Sequence, residues 1–209
     1  MNQLKPSVTP PERTPRPKRE QVRAKLIEGA ARAFAKKGFS GASIDLVCAE
    51  AGFSRGAFYS NFKDKDALFF ALYDNRTARL YGRIRKIAEL AQAAENPMQL
   101  IAEELRQPDQ DELHWDILNK EFIIHALRSD AARQRLLQSR ADSKAQLSKI
   151  LVTLRPEISE HPKKLDRLCR VIIALHEGEL TQLGLDPSLQ DETSLLAEFV
   201  PQILAALLT

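Results

Sequence analysis

The stretch that most constrains the fold is residues 43–68, which reads SIDLVCAEAGFSRGAFYSNFKDKDAL. Ser43 stands just before an apolar-periodic run and predicts a helix N-cap, and Asp45 would lie near the positive end of that helix dipole. Leu46, Val47 and Ala51 give the run one apolar face. Gly52 supplies the left-handed conformation that commonly ends a helix, so a short first helix is predicted to end there.

A second short helix follows almost at once. Ser54 predicts its N-cap, and Phe58 and Phe62 stand four residues apart on a predicted buried side. Two short helices joined by about three residues have the spacing of a helix-turn-helix. The predicted outer face carries a single charge and is otherwise small and polar. Its members are Arg55, Gly56, Ala57, Tyr59, Ser60 and Asn61.

This outer face indicates a DNA-reading surface. A face that is merely solvated would carry more Glu and Lys, whereas a helix in a major groove needs small side chains and hydrogen-bond donors. Lys65 supports this interpretation. It falls in the first turn of the next predicted helix, where the positive end of the helix dipole disfavours a cation. A DNA phosphate beside Lys65 would remove that cost.

The same residues resemble the DNA-binding domain of the TetR family of bacterial transcriptional regulators. The pattern that carries the resemblance is matched at Ser43, Leu46, Ala51, Gly52, Phe53, Ser54, Gly56, Phe58, Tyr59, Phe62, Lys65 and Leu68. The resemblance implies that Ser43, Tyr59 and Lys65 hold phosphates. It further implies that bases are contacted by Arg55, Gly56, Ser60 and Asn61, with Ser54, Ala57 and Lys63 completing the interface. Val47, Ala57 and Asn61 depart from the family's usual residues, so the operator sequence is not predicted.

Charge is unevenly divided along the chain. Residues 1–65 contain 13 Lys or Arg against 6 Asp or Glu, a net +7, whereas the remaining 144 residues contain 18 against 22, a net −4. A basic head on a mildly acidic body suits a polyanion-binding protein. No apolar run is long enough for a membrane span, and the N-terminus has no secretory pattern, so we expect a cytoplasmic protein without a membrane partner. Cys48 and Cys169 are not expected to form a disulfide.

The predicted fold class is all-α, since helical periodicity recurs throughout and no β-alternating run is present. Residues 1–17 hold five of the eleven prolines and several basic residues, and are predicted to be a disordered arm that either approaches DNA or stays solvated. Residues 18–65 form the predicted head and 66–209 the predicted helical body. A long helix over about 64–94 would join them. Further helices are predicted over 98–106, 111–128, 131–154, 163–184 and 193–208.

The last two predicted helices carry more apolar residues than one narrow stripe uses. Either they pair with a second copy, as the family resemblance implies for a homodimer, or they complete the core of a single chain. Pro201 is predicted to kink or break the last helix.

No catalytic, metal-ligand or phosphate-loop pattern is present, so neither an enzyme nor a cofactor is predicted. A small-molecule cavity in the body is predicted instead, although the same residues could simply be core. Its candidate lining is Trp115, Phe122, His125, Cys169, Ile173, His176 and Glu177. The sequence therefore predicts a repressor that an effector releases from pseudo-palindromic double-stranded DNA. The alternatives are a regulator that activates or has no effector, and an all-α small-molecule-binding protein or enzyme whose basic head is incidental.

Overall fold

The computed structural model describes residues 18–91, 100 and 110–208, and every regular element in those ranges is helical. The all-α prediction is therefore confirmed. The α-helices are α1 (Arg19–Gly41), α2 (Ile44–Ala51), α3 (Arg55–Tyr59), α4 (Lys65–Ala91), α5 (Gln110–Arg128), α6 (Asp130–Leu154), α7 (Pro162–Leu185) and α8 (Leu195–Leu208). Short 3-10 helices follow α6 at Pro156–Glu160 and α7 at Pro187–Asp191.

The observed bounds of α5 to α8 lie within two residues of the predicted ones. Proline explains much of this agreement, because a proline is favoured in the first turn of a helix and disfavoured further in. Pro162 stands at the first position of α7. The arm at 1–17, the predicted end of α4 at 92–94 and, apart from residue 100, the short helix predicted at 98–106 lie outside the described residues.

The helix ends in the head are fixed by their own side chains. The Ser43 hydroxyl accepts the Leu46 N–H at 3.1 Å, and Gly52 ends α2 with φ 72°. The Ser54 hydroxyl accepts the Ala57 N–H at 3.3 Å at the start of α3. These contacts confirm the predicted caps and fix the turn between α2 and α3.

One core runs through the head and into the body. Phe34 and Phe58 of the head belong to the same buried cluster as Phe69 of α4 and Phe122 of α5. The Phe69 and Phe122 rings stack with centroids 3.7 Å apart and an interplanar angle of 9°. The head is therefore packed rigidly against α5, across the sequence boundary predicted at residue 65.

α1 and α2 approach each other closely at Gly29. A Cβ at Gly29 would lie 2.7 Å from the Ala51 Cβ and 2.8 Å from the Ala51 backbone nitrogen. Any larger residue would have to move α2, so this glycine sets the distance between the two helices.

The far end of the body has its own core, around Leu168 and Ile158. There α8 packs its Leu196 and Val200 against α7 and continues through Pro201 to Leu208. The proline does not end the helix, and nothing in the structure explains its presence. Within the described ranges, no helix is both long and apolar enough to cross a membrane.

Candidate nucleic-acid interface

α3 turns its aromatic anchor inward and its polar side chains outward. Phe58 is fully buried and Phe62, just after the helix, is 3% exposed, whereas the adjacent Tyr59 is 52% exposed. Tyr59 rests edge-on against Phe58, with ring centroids 5.2 Å apart. The rest of the predicted outer face is exposed at Arg55, Gly56 and Ser60 and half-buried at Ala57 and Asn61, and the N-cap Ser54 is exposed too. α3 therefore presents a free surface with a rigid apolar base.

Gly56 is not needed by the fold of the chain. A Cβ there would meet only the Ser54 hydroxyl, at an ordinary 3.7 Å, and Gly56 is not among the glycines with positive φ. Alanine is favoured over glycine in helices by about 1 kcal/mol. The missing side chain thus has no internal explanation, and it leaves the middle of the α3 surface open to a close partner.

The charged groups on this face pair loosely. Arg55 lies 3.2 Å from the Asp45 carboxylate, and both side chains are mostly exposed. Hydrogen bonding to Tyr59, and then the Asp45 charge, raise the pKa of Arg55, so the guanidinium stays charged. Because exposed ion pairs contribute little, Arg55 can exchange Asp45 for an external anion at small cost.

α1 positions the end of α3, which the sequence reasoning missed. Arg19 donates to the Ser60 carbonyl at 3.2 Å, and Arg23 donates to the Asn61 carbonyl at 3.2 Å. The Arg23 guanidinium also lies 4.3 Å from the centre of the Phe62 ring. The i, i+4 spacing of the two arginines on α1 was the available signal.

Asn61 is folded back on its own helix. Its Nδ2 donates to the Ala57 carbonyl at 2.8 Å. Its Oδ1 is buried and has no hydrogen-bond partner within the part of the chain that the structure describes. A base contact by Asn61, as predicted, requires a change of rotamer.

Lys65 has partners within the chain. Its ammonium donates to the carbonyls of Phe39 at 2.7 Å and Ala42 at 3.1 Å, beyond the Gly38 turn of α1. Burial lowers its pKa. These carbonyls supply the negative partner that the first turn of α4 lacks, so the position of Lys65 has a structural explanation. Its predicted phosphate contact stays a prediction.

Side chains of α5 form hydrogen bonds with the head near the end of α1 and the beginning of α4. The Glu121 carboxylate accepts the Phe39 N–H at 2.5 Å, and a Cβ at Gly38, which has φ 68°, would strike that carboxylate. One turn further on, His125 Nε2 lies 3.0 Å from the Asp66 carboxylate. α5 therefore holds both the end of α1 and the beginning of α4.

A cavity of about 1160 Å³ opens between α4, α5, α6 and α7. Four of the seven predicted effector-binding residues line it: Trp115, Ile173, His176 and Glu177. Trp115 stacks on Phe69 with centroids 5.7 Å apart, so one wall of the cavity rests on the core that holds the head. Burial lowers the pKa of His176, which favours its neutral form at neutral pH.

The other three predicted residues lie outside the cavity. Phe122 is fully buried against Phe69, and His125 faces Asp66 and the Phe39 ring. Cys169 is fully buried in the far core, where burial raises its thiol pKa to about 11. All three share a helix with residues that line the cavity but are not themselves part of the lining.

The sequence reasoning missed two buried polar residues in the cavity wall, Asp116 and Asn119. Asn119 follows Trp115 by four residues and Asp116 by three, so it is a neighbour of each on the surface of α5, which was the available signal. Asp116 pairs with Lys120. Among the described residues, no group of three His, Cys, Asp or Glu side chains could hold a metal ion.

The capped turn, the inward aromatic pair and the exposed polar surface of α3 together have the geometry of a helix-turn-helix. Residues 26–72 match the model of the bacterial regulatory proteins of the tetR family. This match confirms the resemblance predicted from sequence.

Sequence similarity to known proteins extends over part of the chain. The chain is 43% identical over 58 residues to the HTH-type transcriptional repressor Rv1474c of Mycobacterium tuberculosis, a match that spans 28% of this chain and 31% of the repressor. The chain thus matches about a third of the length of that relative.

The fold is shared over nearly the whole chain. A transcriptional regulator from Rhodococcus sp. Rha1 superposes with a TM-score of 0.59 at 18% identity, covering 92% of this chain and 94% of the regulator. The multidrug binding protein EbrR, solved with imidazole, gives a TM-score of 0.64 at 20% identity, covering 93% of this chain and 97% of EbrR.

Proposed function

We propose that this protein is a cytoplasmic transcriptional repressor that binds double-stranded operator DNA through α3. The observation that carries the proposal is the α3 surface, which is exposed, small and polar, and rigidly backed by Phe58 and by the arginines of α1. The Ser43 and Ser54 hydroxyls use their oxygens as caps, which leaves their O–H groups to donate to phosphates. Arg55 and Tyr59 add donors beside them.

The proposed assembly is a homodimer through α7 and α8. Much of the apolar surface of these helices is already buried within one chain, at residues such as Leu168 and Val200. Leu185 and Phe199 remain exposed on the same pair of helices, at 82% and 38%. A twofold pairing there would cover them and present two α3 helices to a pseudo-palindromic site.

The proposed regulator of DNA binding is a small molecule in the cavity. α5 links the two regions, since Trp115 and Asn119 line the cavity and Glu121 and His125 hold the head. An effector weakens DNA binding only if it binds the DNA-incompetent arrangement more tightly. The proposed mechanism is therefore a shift of α5 that moves the end of α1 and the beginning of α4 with it.

The first experiment is a gel shift with fragments of DNA adjoining the protein's own gene. We expect sequence-selective binding that weakens steeply as salt rises, because phosphate contacts release counterions. Tyr59→Phe should weaken binding to every fragment, whereas Arg55→Ala or Asn61→Ala should change the preferred sequence. Absence of selective binding at any fragment would contradict the proposal.

A matched control is available on the body. Arg133 of α6 is exposed and paired with Asp130, as Arg55 is with Asp45. Arg133→Ala removes the same charge from the dimer but should leave DNA binding unchanged. Equal losses for Arg55→Ala and Arg133→Ala would indicate that total charge, rather than the α3 surface, attracts DNA.

The alternative of a small-molecule-binding protein with an incidental head is best tested on the full-length protein. Deleting residues 1–65 would expose Phe69 and Phe122, whose rings form one core with the head. A protein of this alternative class would bind its ligand with the same affinity in the presence and absence of DNA. Under our proposal the ligand binds more weakly when DNA is bound. DNA also binds more weakly when the ligand is bound, and by the same factor.

A further inference from the structure

The lining of the cavity between α4 and α7 is strongly cationic. Six arginines and one lysine line it, against two carboxylates, Asp116 and Glu177. This is unlike the rest of the body, since residues 66–209 have a net charge of −4. The positive charge is therefore concentrated at the cavity.

Both lining carboxylates are already neutralised. Glu177 accepts from Arg140 at 2.8 Å, and Asp116 is paired with Lys120. The lining lysine, Lys144, pairs with Asp166.

Positive charge is left over at the edge of the cavity. Arg79 of α4 and Arg167 and Arg170 of α7 form no ion pair within the described ranges, and all three side chains are exposed. Each guanidinium group presents a planar fork of donors, so these three exposed arginines offer an anionic group at the cavity several charge-assisted hydrogen bonds.

The inner wall has a different character. Tyr73, Tyr81 and Trp115 line it together with Leu80 and Ile173. Burial raises the pKa of Tyr81 to about 12, so its phenol stays neutral. Aromatic and aliphatic side chains of this kind stabilise a ligand through the apolar area that they bury.

Asn119 supplies one polar position in that inner wall. Its side chain is 8% exposed, and its Oδ1 is buried with no hydrogen-bond partner among the described residues. A buried acceptor without a donor destabilises a protein, so a ligand that brings an N–H or O–H group to Asn119 gains affinity.

From these features we infer that the effector is an anionic amphiphile: an acidic head at Arg79, Arg167 and Arg170, an aromatic or aliphatic body against Trp115, and a hydrogen-bond donor for Asn119. The acidic head is a carboxylate or a phosphate. This inference rests on the proposed function, because it names the chemical class of the small molecule that would release the DNA.

The test compares two fluorescent probes with nearly the same rings. 8-Anilinonaphthalene-1-sulfonate carries an anionic group, and N-phenyl-1-naphthylamine lacks it. We expect the sulfonate to bind the full-length protein at least about tenfold more tightly, and its affinity to fall with added salt. The variant Arg79→Gln/Arg167→Gln/Arg170→Gln should bind the sulfonate roughly tenfold more weakly and the neutral probe equally well.

The control variant is Arg128→Gln/Lys149→Gln/Lys163→Gln, which removes three exposed cations that do not line the cavity. It should bind both probes as the unmodified protein does. Equal binding of the two probes, or equal effects of the two triple variants, would overturn the inference.

Competition identifies the head group. We expect 1-naphthylacetate or 1-naphthyl phosphate to displace the sulfonate probe, and the more effective of the two to distinguish a carboxylate from a phosphate. 1-Naphthylmethylamine, a cation of similar shape, should not displace it, and displacement by this amine would contradict the inference. Because the assay contains no DNA, its failure concerns the cavity alone, whereas failure of the gel shift concerns the proposed function.

Discussion

Substituting Gly56 by alanine separates the needs of the fold from those of DNA binding. The new Cβ would make one ordinary contact, at 3.7 Å from the Ser54 hydroxyl, so no neighbour has to move. Alanine stabilises a helix by about 0.5–1 kcal/mol relative to glycine. In a chain of this size, that gain raises the melting temperature by roughly 1–4 °C. We therefore expect a slightly more stable protein.

The same methyl group should weaken DNA binding. On a helix face in close contact with base edges, an added methyl group acts like overpacking and costs about 1–3 kcal/mol. That cost corresponds to a loss of roughly 5- to 150-fold in affinity. Melting is followed by circular dichroism, and affinity by fluorescence anisotropy with a labelled operator fragment.

Two other glycines serve as controls. A Cβ at Gly82 of α4 would touch nothing within 4 Å, so Gly82→Ala should stabilise the protein and leave DNA binding unchanged. A Cβ at Gly29 would overlap Ala51 at 2.7–2.9 Å, so Gly29→Ala should lower the free energy of unfolding by about 1–2 kcal/mol. If Gly56→Ala is stabilised yet binds DNA with full affinity, the α3 surface does not make close contact with a groove.

Three further predictions concern single side chains. Lys65→Met keeps the apolar stem but leaves the Phe39 and Ala42 carbonyls without their donor. Urea denaturation should therefore show that the free energy of unfolding falls by about 1–3 kcal/mol. An unchanged midpoint would show that those hydrogen bonds contribute nothing to stability. Burial raises the thiol pKa of Cys48 and of Cys169, the latter to about 11. Neither cysteine should therefore react with Ellman's reagent at pH 8 until urea is added. Rapid labelling of the native protein would contradict their burial. Glu121→Ala removes the acceptor of the Phe39 N–H and should destabilise the protein by about 1–3 kcal/mol in the same urea assay, whereas an unchanged stability would indicate that α5 does not hold the head through this contact.

Local signals made the head predictable from sequence. Ser43, Gly52 and Ser54 act within three or four residues of their own positions, so their roles as caps follow from residue type and spacing. The spacing of Phe58 and Phe62 gave the buried side of the helix-turn-helix for the same reason.

Contacts between distant parts of the chain were beyond such reasoning. Glu121 reaches Phe39 across 82 positions of sequence, and Lys65 reaches Phe39 across 26. Periodicity identifies the apolar stripe of a helix but not the helix that covers it. Phe122 and Cys169 were therefore assigned to the cavity, although the structure packs both into core.

The same limit explains what was missed in the cavity. Asn119 and the arginines of α4 and α7 come together only when α4, α5, α6 and α7 are assembled. In the sequence they look like ordinary polar positions of three separate helices, and a charge run is usually solvated. The basic head was visible as a contiguous excess of charge, whereas the basic cavity was not.

The most direct test of the α3 assignment is selection of bound duplexes from a random pool, followed by sequencing. The account predicts enrichment of an inverted repeat with half-sites about one helical turn apart, and a changed half-site for Asn61→Ala. No enriched sequence with the unmodified protein, or the same enriched sequence after replacing Arg55, Tyr59 and Asn61 together by alanine, would contradict it.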